Sequence, residues 1–383
     1  MNRRSFLLST SGMLISQFLL GCANNKQIQF NVQLLKGSIP GYVVNQFHKS
    51  LQSEANLKFV PINQIYDLFK QLQTWQQPEA KNQGLFNDLN PFNQSQKVSK
   101  SDLVTLGDYW LKAAIEQKLI QPFEPEQIKK LSALNQRWQE LVKRDDQGNL
   151  NPQGQVWAAP YRWGNTVIVY NQEKLKKFDW QPQNWDDLWR SELRSRISLL
   201  NHPREVIGLV LKKLGKSYNT ENPAEVSSLK TELQLLNEQV KFYDSTTYLE
   251  PLIIGDTWLA VGWSNDVIPA LIRYPKLKAV IPQSGTALWA DLWVRPTGVD
   301  KNNLLSKWVN FCWQSDIAKQ ITILTKTNSP IATNTVESDI LEPLRNLLLT
   351  DQNLFDKSEF LLPLSPAAIE QYESLFREMK NLG

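Results

Sequence analysis

Histidine and cysteine are the scarcest functional residues in this chain, with two of each among 383 residues. A histidine-based metal site, or a nucleophile activated by histidine, has only His48 and His202 to draw on. Cys22 and Cys312 permit at most one disulfide, and none if Cys22 is modified. Charge of one sign is also lacking. Forty-two Lys and Arg stand against 38 Asp and Glu, a net +4 that falls to +2 once Arg3 and Arg4 are set aside. No basic cluster is interleaved with aromatics, so a nucleic-acid footprint is excluded. HExxH, GxSxG, CxxC and EF-hand patterns are missing. Two near misses fail on spacing or context. In "GLVLKKLGKS" (208–217), six residues separate Gly208 and Gly215 where a phosphate loop has four, and the stretch reads as a helix with its C-cap. "SSLK" (227–230) has a Ser-x-x-Lys spacing but lies on a polar helix face with no partner motif. The paired acids Asp186 and Asp187 suit a helix start, where the dipole favours negative charge. The expectation is a protein that performs no chemistry and holds no metal or cofactor.

The N-terminus reads as an address. "MNRRSFLLSTSGMLISQFLLGC" has a basic start, an apolar run from Phe6 to Leu20, and Gly21 before Cys22. The run is too short to span a bilayer and fits a signal peptide over 1–22. Arg3-Arg4-Ser5-Phe6-Leu7 resembles a twin-arginine export signal. Leu19-Leu20-Gly21-Cys22 resembles a bacterial lipobox, which would make Cys22 the lipidated first residue. The expected product is a periplasmic protein held to the membrane by acyl chains, with the polar "ANNKQ" as a short tether.

What the chain does have is tryptophan, 14 in all, and enough length for more than one core. Strand-like runs at 29–35, 57–62, 102–106, 165–171, 196–200, 258–263, 277–282 and 287–296 alternate with helical periodicity. Pro61 marks an edge strand. Helices are expected at 40–53, 64–75, 126–144, 203–215, 223–239, 264–274, 302–326, 339–349 and 366–381, with a Gln/Asn/Pro-rich insert at 76–100. This alternation predicts α/β lobes with mostly parallel sheets. Ligands of such sheets sit at strand carboxyl ends, and 107–110, 201–205 and 263–266 occupy that place.

One stretch resists a purely structural reading. "SGTALWADLWVRP" (284–296) sets the acid Asp291 between Trp289 and Trp293 in an otherwise apolar strand. A buried carboxylate needs a partner. Arg295 is the nearby structural one; a bound cation is the functional one. Read with "DLVTLGDYWLKAAIEQKLIQPF" (102–123), "WAAPYRWGNTVIVYN" (157–171), "NWDDLW" and "RISLLNHPREVIGLVLKKLG" (184–215) and "AVGWSND" (260–266), it resembles the spermidine/putrescine-binding proteins of bacterial ABC importers. The resemblance runs from about residue 28 to the end. It implies a periplasmic-binding-protein-like α/β fold, two α/β lobes with a ligand cleft between them. The implied N-terminal lobe is 23–160 and 290–334, and the implied C-terminal lobe is 161–289 and 335–383. Strands near 158–163, 287–291 and 332–337 would join them. The implied partners are an ABC permease and ATPase, and the implied ligand is a polyamine. That chemistry stands without the family: ammonium groups of pKa about 10 on an apolar stem need carboxylates and aromatic faces.

The resemblance also implies individual roles. Trp263 and Trp289 match tryptophans that sandwich the ligand, Tyr109 a tyrosine at the pocket edge, and Glu205 and Asp291 carboxylates that bind amines. The chain departs from the family pattern too. His202 stands where an acid is expected, Leu35 and Ser38 where aromatics are expected, and Arg377 where a glutamine is expected. Asp108 is the candidate replacement for the lost acid. Arg204 is expected to pair with a carboxylate and orient the site. Tyr161 and Trp163 suit either cavity or hinge, Trp157 and Trp293 suit packing, and Arg162 has no assigned role. His202 and Arg377 keep a second reading open, the same fold with a less cationic solute. A secreted hydrolase using Glu205 and Asp291 as its carboxylate pair is the reading from a different class.

Overall fold

The computed structural model describes residues 28–51, 55–76, 100–333, 335–348 and 351–381. The signal-like segment with Cys22, and nearly all of the 76–100 insert, lie outside the described residues.

Ile28–Leu35 pairs in parallel with Ala55–Ile62 on one side and Leu103–Gly107 on the other. Ala55–Ile62 is the outermost strand, where Pro61 costs no ladder hydrogen bond on its open side. Leu103–Gly107 is almost wholly buried and ends on a glycine that opens the turn Asp108–Trp110. A second parallel set, Val240–Tyr243, Ile197–Leu199 and Leu259–Trp263, forms the other side of the molecule. Both sets are the mostly parallel layers expected from the alternating sequence.

Two long strands connect them. The first crossing strand, Ala159–Asn171, has 13 residues, all buried. Its start pairs with the second crossing strand, Ala287–Pro296, and its end with Leu259–Trp263 and Leu277–Val280. The crossing strands run antiparallel to each other, joining both parallel sets into one sheet. A third connection, expected as a strand at 332–337, is a single bridge instead. Trp163 and Asn328 exchange backbone hydrogen bonds of 2.9 and 2.8 Å, and Glu337–Asp339 is a 3-10 turn.

The hydrophobic side chains divide accordingly. One core gathers Phe30, Leu106, Trp138, Trp293 and Trp308. Two others, on opposite faces of the second strand set, gather Trp185, Ile207 and Tyr372, and Tyr248, Val267 and Leu344. Phe355 and Phe360 join the first core, although they lie beyond residue 335. The fold is the expected periplasmic-binding-protein-like one, two α/β lobes.

Three helix expectations fail for local reasons, and the 339–349 one keeps only the four-residue helix Arg345–Leu348 after the Pro343 turn. The 126–144 periodicity resolves into 3-10 turns at Pro125–Gln127 and Lys129–Ala133, then the short helix Gln136–Val142. Asn135 restarts the chain there, its side chain accepting from the Arg137 N–H at 3.0 Å. "NWDDLW" makes only a 3-10 turn, closed by the Asn184/Asp187 capping box. The failed phosphate-loop motif is indeed helix, Pro203–Lys213, with Gly215 left-handed just beyond its end. Gly208 is required by packing, because a Cβ there would run into the Tyr218 ring.

Candidate functional site

A cavity of about 290 Å³ opens where the crossing strands meet the ends of the parallel strands. All three expected stretches reach it. Leu103–Gly107 delivers Asp108, Tyr109 and Trp110; Ile197–Leu199 leads to His202 and Glu205; Leu259–Trp263 delivers Trp263 and Asn265. The second crossing strand adds Trp289 and Asp291, and Leu35 and Tyr66 complete the wall. Seven of the eight expected ligand-binding residues thus surround one space. Arg377 does not. It lies on the exposed side of the helix Pro366–Lys380, whose apolar stripe of Tyr372, Leu375, Phe376 and Met379 turns inward.

Glu205 is buried on the first turn of its helix, where the dipole favours a carboxylate. Its Oε1 accepts from Trp263 Nε1–H at 2.9 Å, and Thr166 Oγ1 lies 3.0–3.1 Å from both its oxygens. Burial pushes its pKa up, and these donors and Arg204 oppose that shift. Trp263 is itself anchored, because its backbone N–H donates to the Tyr248 hydroxyl, which donates to Asp266. His202 caps the same helix through Nδ1, which accepts from the Glu205 N–H at 3.4 Å. Burial, with Arg204 adding to it, lowers the His202 pKa to about 4, so the ring is neutral at physiological pH. Its edge meets Tyr109 across the cavity mouth, ring centroids 5.2 Å apart.

Asp108 Oδ1 accepts from the Ala290 N–H at 2.9 Å. Burial and the neighbouring Asp291 raise its pKa to about 7 against the Ala290 hydrogen bond. Burial likewise pushes Asp291 up, opposed by Arg162.

The structure corrects the expected role of Asp291 as an open ammonium anchor. Arg162 already holds it, with Nε and Nη2 both 2.6 Å from Oδ2 and both side chains buried. The cause is register. Asp291 and Arg162 are direct cross-strand partners, just before the bulge between Asp291 and Leu292. Arg295, the expected structural partner, donates instead to Pro122 O and Gln127 Oε1. Arg204 also departs from expectation. Its guanidinium donates to the carbonyls of Leu362 and Tyr218 and to Asn219 Oδ1, and lies over the Tyr372 ring. Trp293 stacks on Tyr161 in the first core at 4.2 Å, and Trp163 sits at the hinge bridge.

Tyr66, Trp110, Asn265 and Thr166 were not singled out from sequence. Thr166 had a usable signal, the polar Asn165-Thr166 pair inside an apolar strand. Gly164 is needed on the same strand, since a Cβ there would meet both Ser264 Oγ and the Trp289 indole. Among the described residues, no group of three or more His, Cys, Asp or Glu side chains could hold a metal ion.

A two-lobed α/β protein with an aromatic- and acid-lined cavity at its crossing strands is a solute-binding protein by architecture. The chain belongs to the bacterial extracellular solute-binding protein family, whose profile matches residues 99–357. It is similar to the spermidine/putrescine-binding periplasmic protein of Salmonella typhimurium, 27% identical over 223 residues, which cover 57% of this chain and 60% of that protein. The match therefore spans less than two thirds of that relative. The chain is also similar to the putrescine-binding periplasmic protein PotF of Escherichia coli, 25% identical over 258 residues, 63% of this chain and 68% of that one. Among solved structures it resembles the spermidine/putrescine ABC transporter substrate-binding protein PotD of Streptococcus pneumoniae. The TM-score is 0.75 at 18% identity, covering 93% of this chain and 99% of that chain.

Proposed function

We propose that this chain is the substrate-binding component of an ABC importer, delivering a small amine of the polyamine class to a permease driven by an ATPase. The observation that carries the reading is the cavity's charge. Arg162 and Asp291 neutralise each other and His202 is neutral, which leaves Glu205 and Asp108 as the cavity acids with no cation in ion-pair contact among the described residues. Tyr66, Tyr109, Trp110, Trp263 and Trp289 surround them. Aromatic faces and carboxyl groups outside any ion pair favour an ammonium on an alkyl stem. Glu205 is the primary anchor, because Trp263 and Thr166 fix its position. Trp263 and Trp289 act as walls, Tyr109 and His202 as the rim, and Asp108 as the second acid. A hydrolytic pair of Glu205 and Asp291 is disfavoured, since Asp291 is not free to act as acid or nucleophile. Export with lipidation at Cys22 would place the protein at the membrane surface of the periplasmic space. The spermidine/putrescine-binding and putrescine-binding relatives support the same assignment.

Titration calorimetry with putrescine, spermidine, N-acetylputrescine, amino acids and dicarboxylates tests this. Saturable binding of at least one amine is expected, with thermal stabilisation that grows as RT ln(1 + [L]/Kd). A response confined to the carboxylates would refute it.

A further inference from the structure

We infer that Arg162 sets the specificity of the cavity, selecting a solute with one ammonium and, at its other end, an oxygen acceptor: an N-acylated diamine in preference to a free diamine or triamine. The inference rests on the reading that the cavity takes an amine, and narrows it.

Arg162 lines the cavity and fills the position in which a ligand ammonium would meet Asp291. The two side chains are opposite each other on adjacent hydrogen-bonded strands, so the pair is built into the backbone register. A second ammonium at this end would meet Asp291 with its Oδ2 already taken by two contacts from a fixed guanidinium, and like charges in a buried site repel strongly. The Arg162 guanidinium carbon also lies 5.9 Å from the Trp289 ring centroid, within reach of that ring. A guanidinium has five N–H donors and no acceptor, and Asp291 engages only two of its nitrogens. With Asp291 Oδ2 held by Arg162 and Asp108 Oδ1 held by the Ala290 N–H, the guanidinium donors are what this end offers, and they suit a carbonyl oxygen. The Glu205 end is the converse, with a carboxylate fixed by Trp263 Nε1–H and Thr166 Oγ1 and no cation in hydrogen-bond contact among the described residues. One solute meets both demands when its ammonium reaches Glu205 and its acyl oxygen faces Arg162.

The experiment is calorimetry of the wild-type protein with N-acetylputrescine, putrescine and spermidine, repeated with Arg162→Met. The wild type should bind N-acetylputrescine about tenfold or more tightly than putrescine. Arg162→Met should reverse the order by freeing Asp291 for a second ammonium. Tighter wild-type binding of putrescine or spermidine overturns the specificity inference and leaves the amine reading standing. The same preference in both proteins overturns the role of Arg162. No binding of any of the three overturns both readings. Arg162→Met leaves a buried carboxylate alone, so the double variant Arg162→Met/Asp291→Asn serves if the single one does not fold. It removes both charges, and its preference between acetylated and free diamine should fall to within about threefold. Retention of the full preference would overturn the inference.

Discussion

Replacing Asp108 with asparagine isolates one buried acid at the edge of the cavity. The change keeps the size of the side chain and the oxygen that accepts from the Ala290 N–H. It removes only the ionisation. In the folded protein the Asp108 pKa is raised from 3.8 to about 7, first by burial and then by Asp291. A raised carboxyl pKa means that the unfolded chain releases its proton at lower pH than the folded one. Between the two values the folded state holds more protons, so stability from this group falls as pH rises, then levels off above about 7. At pH 5 part of the loss has already occurred. From pH 5 to pH 8 the further loss is at most about 3 kcal/mol, at 1.36 kcal/mol per pH decade over the two decades to pH 7. The difference in unfolding free energy between Asp108→Asn and wild type should therefore shift in favour of the variant by up to about 3 kcal/mol over that range. Urea denaturation of both proteins without ligand, at several pH values, measures this difference while most other titrations cancel. A difference that is constant with pH, or that moves in favour of wild type, would show that Asp108 is ionised throughout and that the burial argument is wrong.

Five other substitutions follow from the same geometry. Asp291→Asn leaves Arg162 buried without its counter-ion and should cost about 3–5 kcal/mol of stability, read from the urea midpoint. Trp293→Phe should instead lower stability modestly and leave ligand affinity unchanged, because Trp293 stacks on Tyr161 within a core. Trp263→Phe removes the N–H donor to Glu205 and should weaken amine binding by about 2 kcal/mol in calorimetry, with little change in melting temperature. Gly164→Ala pushes a methyl into Ser264 and Trp289; it should cost about 1–3 kcal/mol of stability and also weaken binding, whereas Gly208→Ala, which strikes Tyr218 away from the cavity, should cost stability alone.

Much of the architecture was legible because strand alternation and glycine or proline boundaries are local signals. Ile28–Leu35, Pro203–Lys213 and Leu259–Trp263 fall close to their expected limits. Local signals also located the strand ends that converge on the cavity. Two kinds of feature escaped. Regular charge spacing over 126–144 looked helical, yet Pro125 and the Asn135 cap divide that stretch into turns and one short helix. The partner of Asp291 escaped for a different reason. Arg162 is 129 residues away in sequence, and only the register of two crossing strands, with its bulge, sets the two side chains against each other. Arg377 shows the same limit from the other side. A residue matched by position on a terminal helix turns outward once that helix buries Tyr372 and Phe376.

The placement of the ion pair has a mechanical corollary. Glu205 and Asp108 ride on separate lobes, so any rotation of one lobe against the other changes the gap between them. Arg162 and Asp291 sit opposite each other on the two crossing strands, so their pairing is tied to that register and not to either acid's lobe. A solute that has passed the Tyr109–His202 rim would be matched against that pair wherever the two acids stand.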